Sequence, residues 1–184
     1  AVGILWLLTA TAGRTATVTW DGGGGSLSWQ NATNWSGNVL PGAGDDVTLN
    51  VGSSVTITSS ASVTIRSLRC SNHLALAAGT FRVIAGGSVV QGQLVTSGNP
   101  VLSATGALTS FTVVGPVTAD GAGFEGAGGA TLSLPQLNAY SKGAGCVTVN
   151  WQATGTNSAL DCPGLARSTG AACASLNLQA LGGG

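Results

Sequence analysis

The sequence predicts an all-β protein, and more specifically a single-stranded β-helix (β-solenoid) with capped ends. Thirty glycines, no methionine and many Thr, Ser, Val, Ala and Leu residues are typical of short strands joined by tight turns. Between positions 47 and 117, short segments such as VTITSS and FRVIAGG alternate apolar and polar residues. That alternation is the period of a strand with one buried face.

A loose repeat favours stacked coils. The segments VTL (47–49), VTI (63–65), FRV (81–83) and VL (101–102) recur at intervals of about 16 to 20 residues, as the coils of a solenoid do. No Asn-Gly or Asp-Gly hairpin signal separates these segments. An antiparallel β-sandwich remains the alternative, and its mark would be a hairpin between VTLNV and VTITSS across positions 52–54.

The first residues suggest export. The run ILWLL (4–8) resembles the end of a signal-peptide hydrophobic region, and ATA (10–12) fits the small-x-small cleavage rule. We therefore expect residues 1–12 to be a signal-peptide remnant and the protein to be extracellular or at the cell surface. The alternative is that residues 4–8 form a buried first strand. The run is too short to span a bilayer, so we expect no membrane span.

The low charge of the sequence argues against a nucleic-acid partner. Only 7% of the residues are charged, against roughly 25% in an ordinary domain, and the formal net charge is zero. A nucleic-acid-binding protein needs a basic surface, so we expect no nucleic-acid partner.

The cysteines agree with export. Their number is even, and neither CxxC nor Cys/His spacing suggests zinc, so we expect two disulfides with three connectivities open. Four buried free thiols are the alternative. The cysteines are Cys70, Cys146, Cys162 and Cys173.

Residues 13–46 are interpreted as an N-terminal cap, 47–156 as the solenoid coils and 157–184 as a disulfide-bearing C-terminal cap or linker. The cap segment places a Trp, a polar loop, Asn-Trp, Gly, Pro-Gly and an Asp pair before the first strand. These positions are Trp29, Asn34, Trp35, Gly37, Pro41, Gly42, Asp45, Asp46 and Val47. The order resembles the opening of secreted β-helical cell-surface modules, including the eight-glycine extracellular domain family and autotransporter-type repeats. The resemblance extends weakly to about Val90 and implies a β-helix whose first coil begins at this motif.

Each residue of the motif admits a structural and a binding interpretation. Trp29 and Trp35 are expected to cover the open end of the core, contributing about 2 to 3 kcal/mol each. As exposed side chains they would instead stack on sugar rings. Asp45 and Asp46 are expected to form an Asx turn, with Ca²⁺ binding as the alternative role.

Two triplets in the cap segment match the glycan acceptor pattern, Asn31 (Asn-Ala-Thr) and Asn34 (Asn-Trp-Ser). They would be used only in a eukaryotic host.

Catalytic groups are sparse. His73 is the only histidine, and its place before LAL favours a turn or edge role. Asp120 and Glu125 lie in a glycine-rich stretch that gives them no fixed geometry. Arg69 and Arg82 are candidate ligand-binding residues, and a cleft combining them with Asp120 would favour a polysaccharide lyase or hydrolase.

The sequence therefore favours a secreted structural or adhesive module of a cell-surface or matrix protein, without catalysis and without a required cofactor. The expected partners are other domains of a larger surface protein, a second copy, or glycans. The alternative function is a carbohydrate-binding module or a polysaccharide-active enzyme of the same fold.

Overall fold

A computed structural model of the chain describes residues 15–52 and 54–184, so the predicted signal-peptide remnant lies outside the described residues. Within them the chain forms 19 β-strands and two short 3-10 helices, Ala32–Asn34 and Ser36–Asn38. The strands lie in three sheets. None of the described helices is long and apolar enough to cross a membrane.

The three sheets are numbered in the order in which the first complete coil enters them. Sheet 1 contains β1 (Ala16–Thr19), β2 (Asp45–Leu49), β5 (Ser67–Cys70), β8 (Gly87–Val90), β11 (Ser110–Val113), β14 (Thr131–Ser133) and β17 (Ala159–Asp161). Sheet 2 contains β3 (Thr56–Ser59), β6 (His73–Leu76), β9 (Leu94–Thr96), β12 (Val117–Asp120), β15 (Ala139–Ser141) and β18 (Arg167–Thr169). Sheet 3 contains β4 (Val63–Ile65), β7 (Thr80–Val83), β10 (Val101–Thr105), β13 (Gly123–Ala127), β16 (Thr148–Thr154) and β19 (Ser175–Leu181).

The chain visits the sheets in turn, and from β2 onward each strand pairs in parallel with the strand three places later. This arrangement confirms the predicted β-solenoid, with six complete coils from β2 to β19. The sandwich alternative is wrong, because β2 pairs with β1 and β5 and does not form a hairpin with β3.

The repeat read from the sequence is only partly the structural one. Val63 pairs with Phe81, and Phe81 with Leu102, so three of the four segments are stacked strands of sheet 3. The segment beginning at Val47 belongs to sheet 1 and pairs with β5. The sequence interpretation failed there because all three sheets use similar short β-branched segments.

Inward side chains stack in continuous rows along the solenoid. One row in sheet 3 runs from Phe81 through Leu102 and Phe124 to Trp151, all at most 3% exposed. Tight corners bring successive coils together between the rows. A Cβ on Gly92 would collide with the backbone of Asn72 in the preceding coil, so a glycine is required at this close approach.

The two ends of the solenoid differ. At the N-terminal end, β1 covers the edge of β2, and the amide of Trp29 donates to the carbonyl of Thr58 at 2.8 Å, which covers the edge of β3. At the C-terminal end, β17, β18 and β19 each pair on one side only among the described strands.

Candidate functional site

The outer face of sheet 3 carries an interlocked row of polar side chains, which we call the sheet 3 ladder. It consists of Arg82, Ser103, Glu125 and Gln152, which are register partners on four successive strands. The parallel register fixes this alignment, because equivalent positions in neighbouring strands lie side by side.

Glu125 is the centre of the ladder. Its Oε2 accepts from Ser103 Oγ at 2.8 Å and its Oε1 accepts from Gln152 Nε2 at 3.0 Å. The Arg82 guanidinium lies 3.6 Å from Oε2, and its Nε donates to Ser103 Oγ at 3.3 Å. These contacts leave the Glu125 side chain 19% exposed and cover Ser103 fully. The carboxylate is therefore held in one orientation.

Beside the ladder lies a shallow groove of about 330 Å³. Its floor lacks side chains at Gly121 and Gly123, and a Cβ on Gly123 would sit 3.1 Å from the carbonyl oxygen of Asn150. Asn150, Gln152 and Glu125 line the groove with amide and carboxylate groups. The groove thus offers hydrogen-bond donors and acceptors with one carboxylate.

Val101, Val147 and Val149 also line the groove, so amide, carboxylate and apolar groups share its walls. Glycoside hydrolysis requires two carboxyl groups about 5 to 9.5 Å apart, and Glu125 is the single carboxylate among the residues that line this groove. Asp120 belongs to β12 of sheet 2, so the fold places the Asp120 and Glu125 strands on different faces.

The arginines singled out in the sequence do not meet. Arg69 lies on β5 of sheet 1, Arg82 on β7 of sheet 3 and Asp120 on β12 of sheet 2. The cleft that would have favoured a lyase or hydrolase is therefore not formed by these residues. Arg69 is exposed beside Thr48, its register partner, and Arg82 is part of the sheet 3 ladder.

A second charged group lies on sheet 1 at the N-terminal end. Arg66 Nη1 is 2.6 Å from Asp46 Oδ2, and Ser67 Oγ also hydrogen-bonds Asp46. The Ser67 hydrogen bond, followed by the Arg66 contacts, lowers the pKa of the Asp46 carboxyl against the opposing effect of burial.

Asp45 and Asp46, whose alternative role was Ca²⁺ binding, hydrogen-bond to other protein groups. Asp45 Oδ2 accepts from the amide of Gly42, three residues earlier, at 2.8 Å and not from a following amide as the expected Asx turn requires, while Asp46 binds Arg66 and Ser67. No group of three or more His, Cys, Asp or Glu suited to a metal ion occurs within residues 15–52 and 54–184.

Trp29 and Trp35 lie in the cap and are not exposed, so they cannot stack on sugar rings as their alternative role required. Both are at most 1% exposed. Their rings meet edge to face at 4.6 Å, Trp20 packs on Trp35 at 5.0 Å, and Trp29 reaches Phe81 in the second coil at 5.0 Å. Trp35 Nε1 donates to the Trp29 carbonyl at 2.8 Å, so its polar atom is also satisfied.

The two acceptor asparagines are structural in this fold. Asn34 is fully buried, and its amide nitrogen donates to Ser26 Oγ and to the Ser28 carbonyl. A glycan on that nitrogen has no room. The Asn31 side chain caps the first 3-10 helix through the Thr33 amide.

The cysteine prediction is half wrong. Cys146 and Cys173 form a disulfide, whereas Cys70 and Cys162 are free. The coil geometry explains this, because Cys70 in β5 and Cys162 after β17 are separated by four strand spacings of sheet 1, roughly 19 Å. A disulfide requires Cα atoms within about 7 Å. Cys70 is a core side chain at 1% exposure, and this burial raises the pKa of its thiol to about 11.

His73 also has a structural role. It begins β6, and its Nδ1 accepts from the Gln93 amide of the next coil at 2.8 Å. This agrees with the turn or edge role expected from the sequence.

Sequence reasoning missed the ladder and the groove. The signal that would reveal them is the register itself, since Ser103 and Glu125 are 22 residues apart and Glu125 and Gln152 are 27 apart. The coils lengthen toward the C-terminus, so no fixed period aligns these residues.

Comparison with known proteins adds no relative. No family model, curated protein or solved structure matches this chain.

Proposed function

We propose that this chain is a structural or adhesive β-solenoid module of a cell-surface or matrix protein, acting outside the cell and without catalysis. The observation that carries the proposal is the sheet 3 face, where successive coils present interlocked, mostly uncharged polar side chains. Two further hydrogen-bonded pairs lie beside the ladder. Asn177 Nδ2 donates to Asn150 Oδ1 at 3.1 Å, and the hydroxyl oxygens of Thr148 and Ser175 are 2.9 Å apart. Such a face provides a rigid, regular contact surface.

The distribution of charge supports the same role. The two ion pairs of the described residues, Asp46 with Arg66 and Glu125 with Arg82, lie on different sheets, and each pairs its charges within the fold. An active site usually concentrates titratable groups with perturbed pKa values in one cleft. The Cys146–Cys173 disulfide supports an oxidising compartment. The resemblance of the Trp29 to Val47 motif to secreted β-helical modules points the same way.

The groove beside Glu125 favours a second candidate, carbohydrate binding. Its volume of about 330 Å³ is at the lower end of the range of small-molecule sites. Its amides and carboxylate match sugar hydroxyls. The adhesive version of the proposal then acts through this groove.

The test is binding of the purified oxidised protein to an array of neutral and acidic glycans, with Asn150→Ala as the site variant. Thr64→Ala is the matched control, because Thr64 is an exposed polar residue of β4 in the same sheet and does not line the groove. Binding lost in Asn150→Ala and kept in Thr64→Ala supports an adhesive role through the groove. Binding affected equally by both variants contradicts it.

The absence of catalysis is tested on the same glycans. After prolonged incubation with each bound polysaccharide, the account expects no new reducing ends and no unsaturated products. Either product, if abolished by Glu125→Gln, overturns the non-catalytic proposal.

A further inference from the structure

The outer face of sheet 1 carries a cavity of about 350 Å³, which we call the sheet 1 cavity. It spans β2, β5 and the start of β8, so it lies among strands that are paired on both sides. Its walls include Asp46, Thr48, Arg66, Ser67, Arg69 and Gly87. Arg69, a ligand-binding candidate from its sequence, therefore lines a cavity, although not one that it shares with Arg82 or Asp120.

An absent side chain opens this cavity. Arg69 pairs with Val89, so Gly87, two residues earlier, stands beside Ser67 in the outward row of the sheet. Gly87 is exposed, and a Cβ there would make only an ordinary contact of 3.6 Å with Ser110 Oγ. The packing of the fold does not require a glycine at this position. The glycine leaves space for a ligand beside Ser67 and Arg69.

Hydrogen-bond donors outnumber acceptors among the side chains of the cavity. Asp46 is the single carboxylate among the lining residues, and Arg66 Nη1 and Ser67 Oγ already bond to its oxygens. Arg66 uses only Nη1 in this contact, and its Nε and Nη2 have no acceptor within residues 15–52 and 54–184. Arginine presents five N–H donors in a planar fork that matches an oxyanion. Arg66 therefore keeps donors for an incoming anion.

The second arginine is free of protein partners. The Arg69 side chain is exposed and has no hydrogen bond or ion pair among the described residues. The hydrogen bond from Ser67 lowers the pKa of Asp46 most. The charges of Arg66 and Arg69 lower it further, so both guanidinium groups act on the same carboxylate. Two positive charges and one negative charge leave the cavity with an excess of one positive charge.

Hydroxyl groups extend from the cavity along the same face. The outward residues of β11 and β14 form two register pairs, Ser110 with Thr131 and Thr112 with Ser133. No charged residue occurs on β8, β11 or β14. Hydroxyls both donate and accept hydrogen bonds, as sugar hydroxyls do, whereas the centre of a protein interface is apolar. The face therefore favours a polysaccharide over a protein as the carrier of the anion.

We propose that the sheet 1 cavity binds the oxyanion group of an acidic polysaccharide, a carboxylate or a sulfate. Arg69 and the free donors of Arg66 hold the anion, and the Ser and Thr hydroxyls of the face bond to neighbouring sugar units. The cavity lies on sheet 1 and the groove beside Glu125 on sheet 3. The inference thus goes beyond the proposed function, and either one can fail without the other.

Isothermal titration calorimetry of the oxidised full chain at low ionic strength tests the proposal with three polymers. Polygalacturonate carries carboxylates, dextran sulfate carries sulfates, and dextran is neutral. We expect at least one of the two charged polymers to bind and dextran not to bind through this cavity. Tighter binding of polygalacturonate assigns the anion to a carboxylate, and tighter binding of dextran sulfate assigns it to a sulfate. If neither charged polymer binds, the proposal is wrong.

Arg69→Gln is the site variant. It removes a charge and the planar fork, so we expect binding to weaken by about tenfold. Arg167→Gln is the matched control, because it changes the net charge equally at an exposed position of β18 outside this cavity. It should weaken binding by less than about twofold, since separated surface charges are screened. Equal losses in the two variants would show attraction by net charge alone and would overturn the site.

Gly87→Val fills the space without changing any charge, and circular dichroism verifies its fold. We expect it to weaken binding by about tenfold as well, and unchanged binding would place the anion outside the cavity. Asn150→Ala, in the sheet 3 groove, should leave binding of the charged polymers unchanged, and a loss there would assign them to the groove instead. Poly-L-glutamate bound as tightly as the polysaccharides would contradict a polysaccharide ligand.

Discussion

The core and the strand edges are covered differently at the two ends of this solenoid. At the N-terminal end, Trp20, Trp29 and Trp35 fill the opening of the core and are at most 3% exposed. At the C-terminal end, the cluster of Phe124, Tyr140 and Trp151 is also packed, with ring centres 4.6 to 6.3 Å apart. There, however, one further coil lies outside the aromatic cluster.

The difference lies in what covers the last strands. The N-terminal aromatic cluster is followed outward by segments that cover two of the three strand edges. The C-terminal cluster is followed by β17 to β19, whose outer edges have no partner strand among the described residues and whose Leu178 is exposed. A cap therefore needs both large side chains that fill the end of the core and segments that hydrogen-bond to the strand edges.

Trp35→Ala removes the centre of the cap. Because Trp35 is fully buried, packs on both other tryptophans and donates to the Trp29 carbonyl, we expect a loss of about 3 to 5 kcal/mol in the free energy of unfolding. Urea unfolding followed by circular dichroism measures the loss. Val39→Ala, an exposed position in the same segment, is the control and should change stability by less than about 0.5 kcal/mol. A loss of similar size in both variants would rule out the cap role.

Leu49→Ala and Leu178→Ala compare the first and last coils directly. Leu49 is fully buried in β2, so its truncation should cost about 2 to 5 kcal/mol. Leu178 is two-thirds exposed, so its truncation should cost less than about 0.5 kcal/mol. Equal losses in dilute protein would show that the C-terminal coil is as closed as the first one.

Replacing both Cys146 and Cys173 by Ser tests the covalent support of the open end. The bond closes 27 residues of chain and joins the segments that lead into β16 and β19. We expect a loss of about 2 to 4 kcal/mol, confined to the C-terminal coils. Limited proteolysis should then cleave beyond residue 143 first, while fluorescence of the cap tryptophans is unchanged. Cys162→Ser, which removes a free thiol, serves as the control. Simultaneous loss of both ends would contradict this local role.

Acid should weaken the first coil through Asp46. Its pKa is lowered from the ordinary 3.8, so its stabilising effect is fully present above that pH and is lost as the pH falls through the lowered folded-state pKa. The Asp46 and Arg66 side chains are 33% and 39% exposed, so the ion pair contributes at most about 1 kcal/mol.

Melting temperatures measured from pH 5 to pH 2 should fall less steeply in Asp46→Asn than in the original chain. Ser67→Ala removes the hydrogen bond that lowers this pKa most, so it should move the acid transition of the original chain to higher pH. Parallel pH profiles in all three proteins would exclude Asp46 as the source.

The sequence predicts the coil architecture and the cap because both depend on local signals. Alternating apolar residues define strands such as Thr80–Val83, and two large aromatics next to a Pro-Gly turn indicate a closed end. Burial of Trp29 and Trp35 follows from that pattern.

The site was not predictable because it depends on long-range register. The alignment of Ser103, Glu125 and Gln152 arises only after the coils stack, and coil length changes along the chain. The same reason explains the cysteines, since stacking brings Cys146 to Cys173 with Cα atoms 4.8 Å apart and leaves Cys70 four strands from Cys162. The even number of cysteines alone suggests two disulfide bonds.

Amide hydrogen exchange tests the contrast between the two ends of the solenoid most directly. Amides of β2 and β3, whose edges are covered, should be among the slowest to exchange, whereas those of β18 and β19 should exchange much faster because local opening costs less there. Equal protection of β2 and β19 in dilute protein would contradict an account in which one end of the solenoid is closed and the other is open.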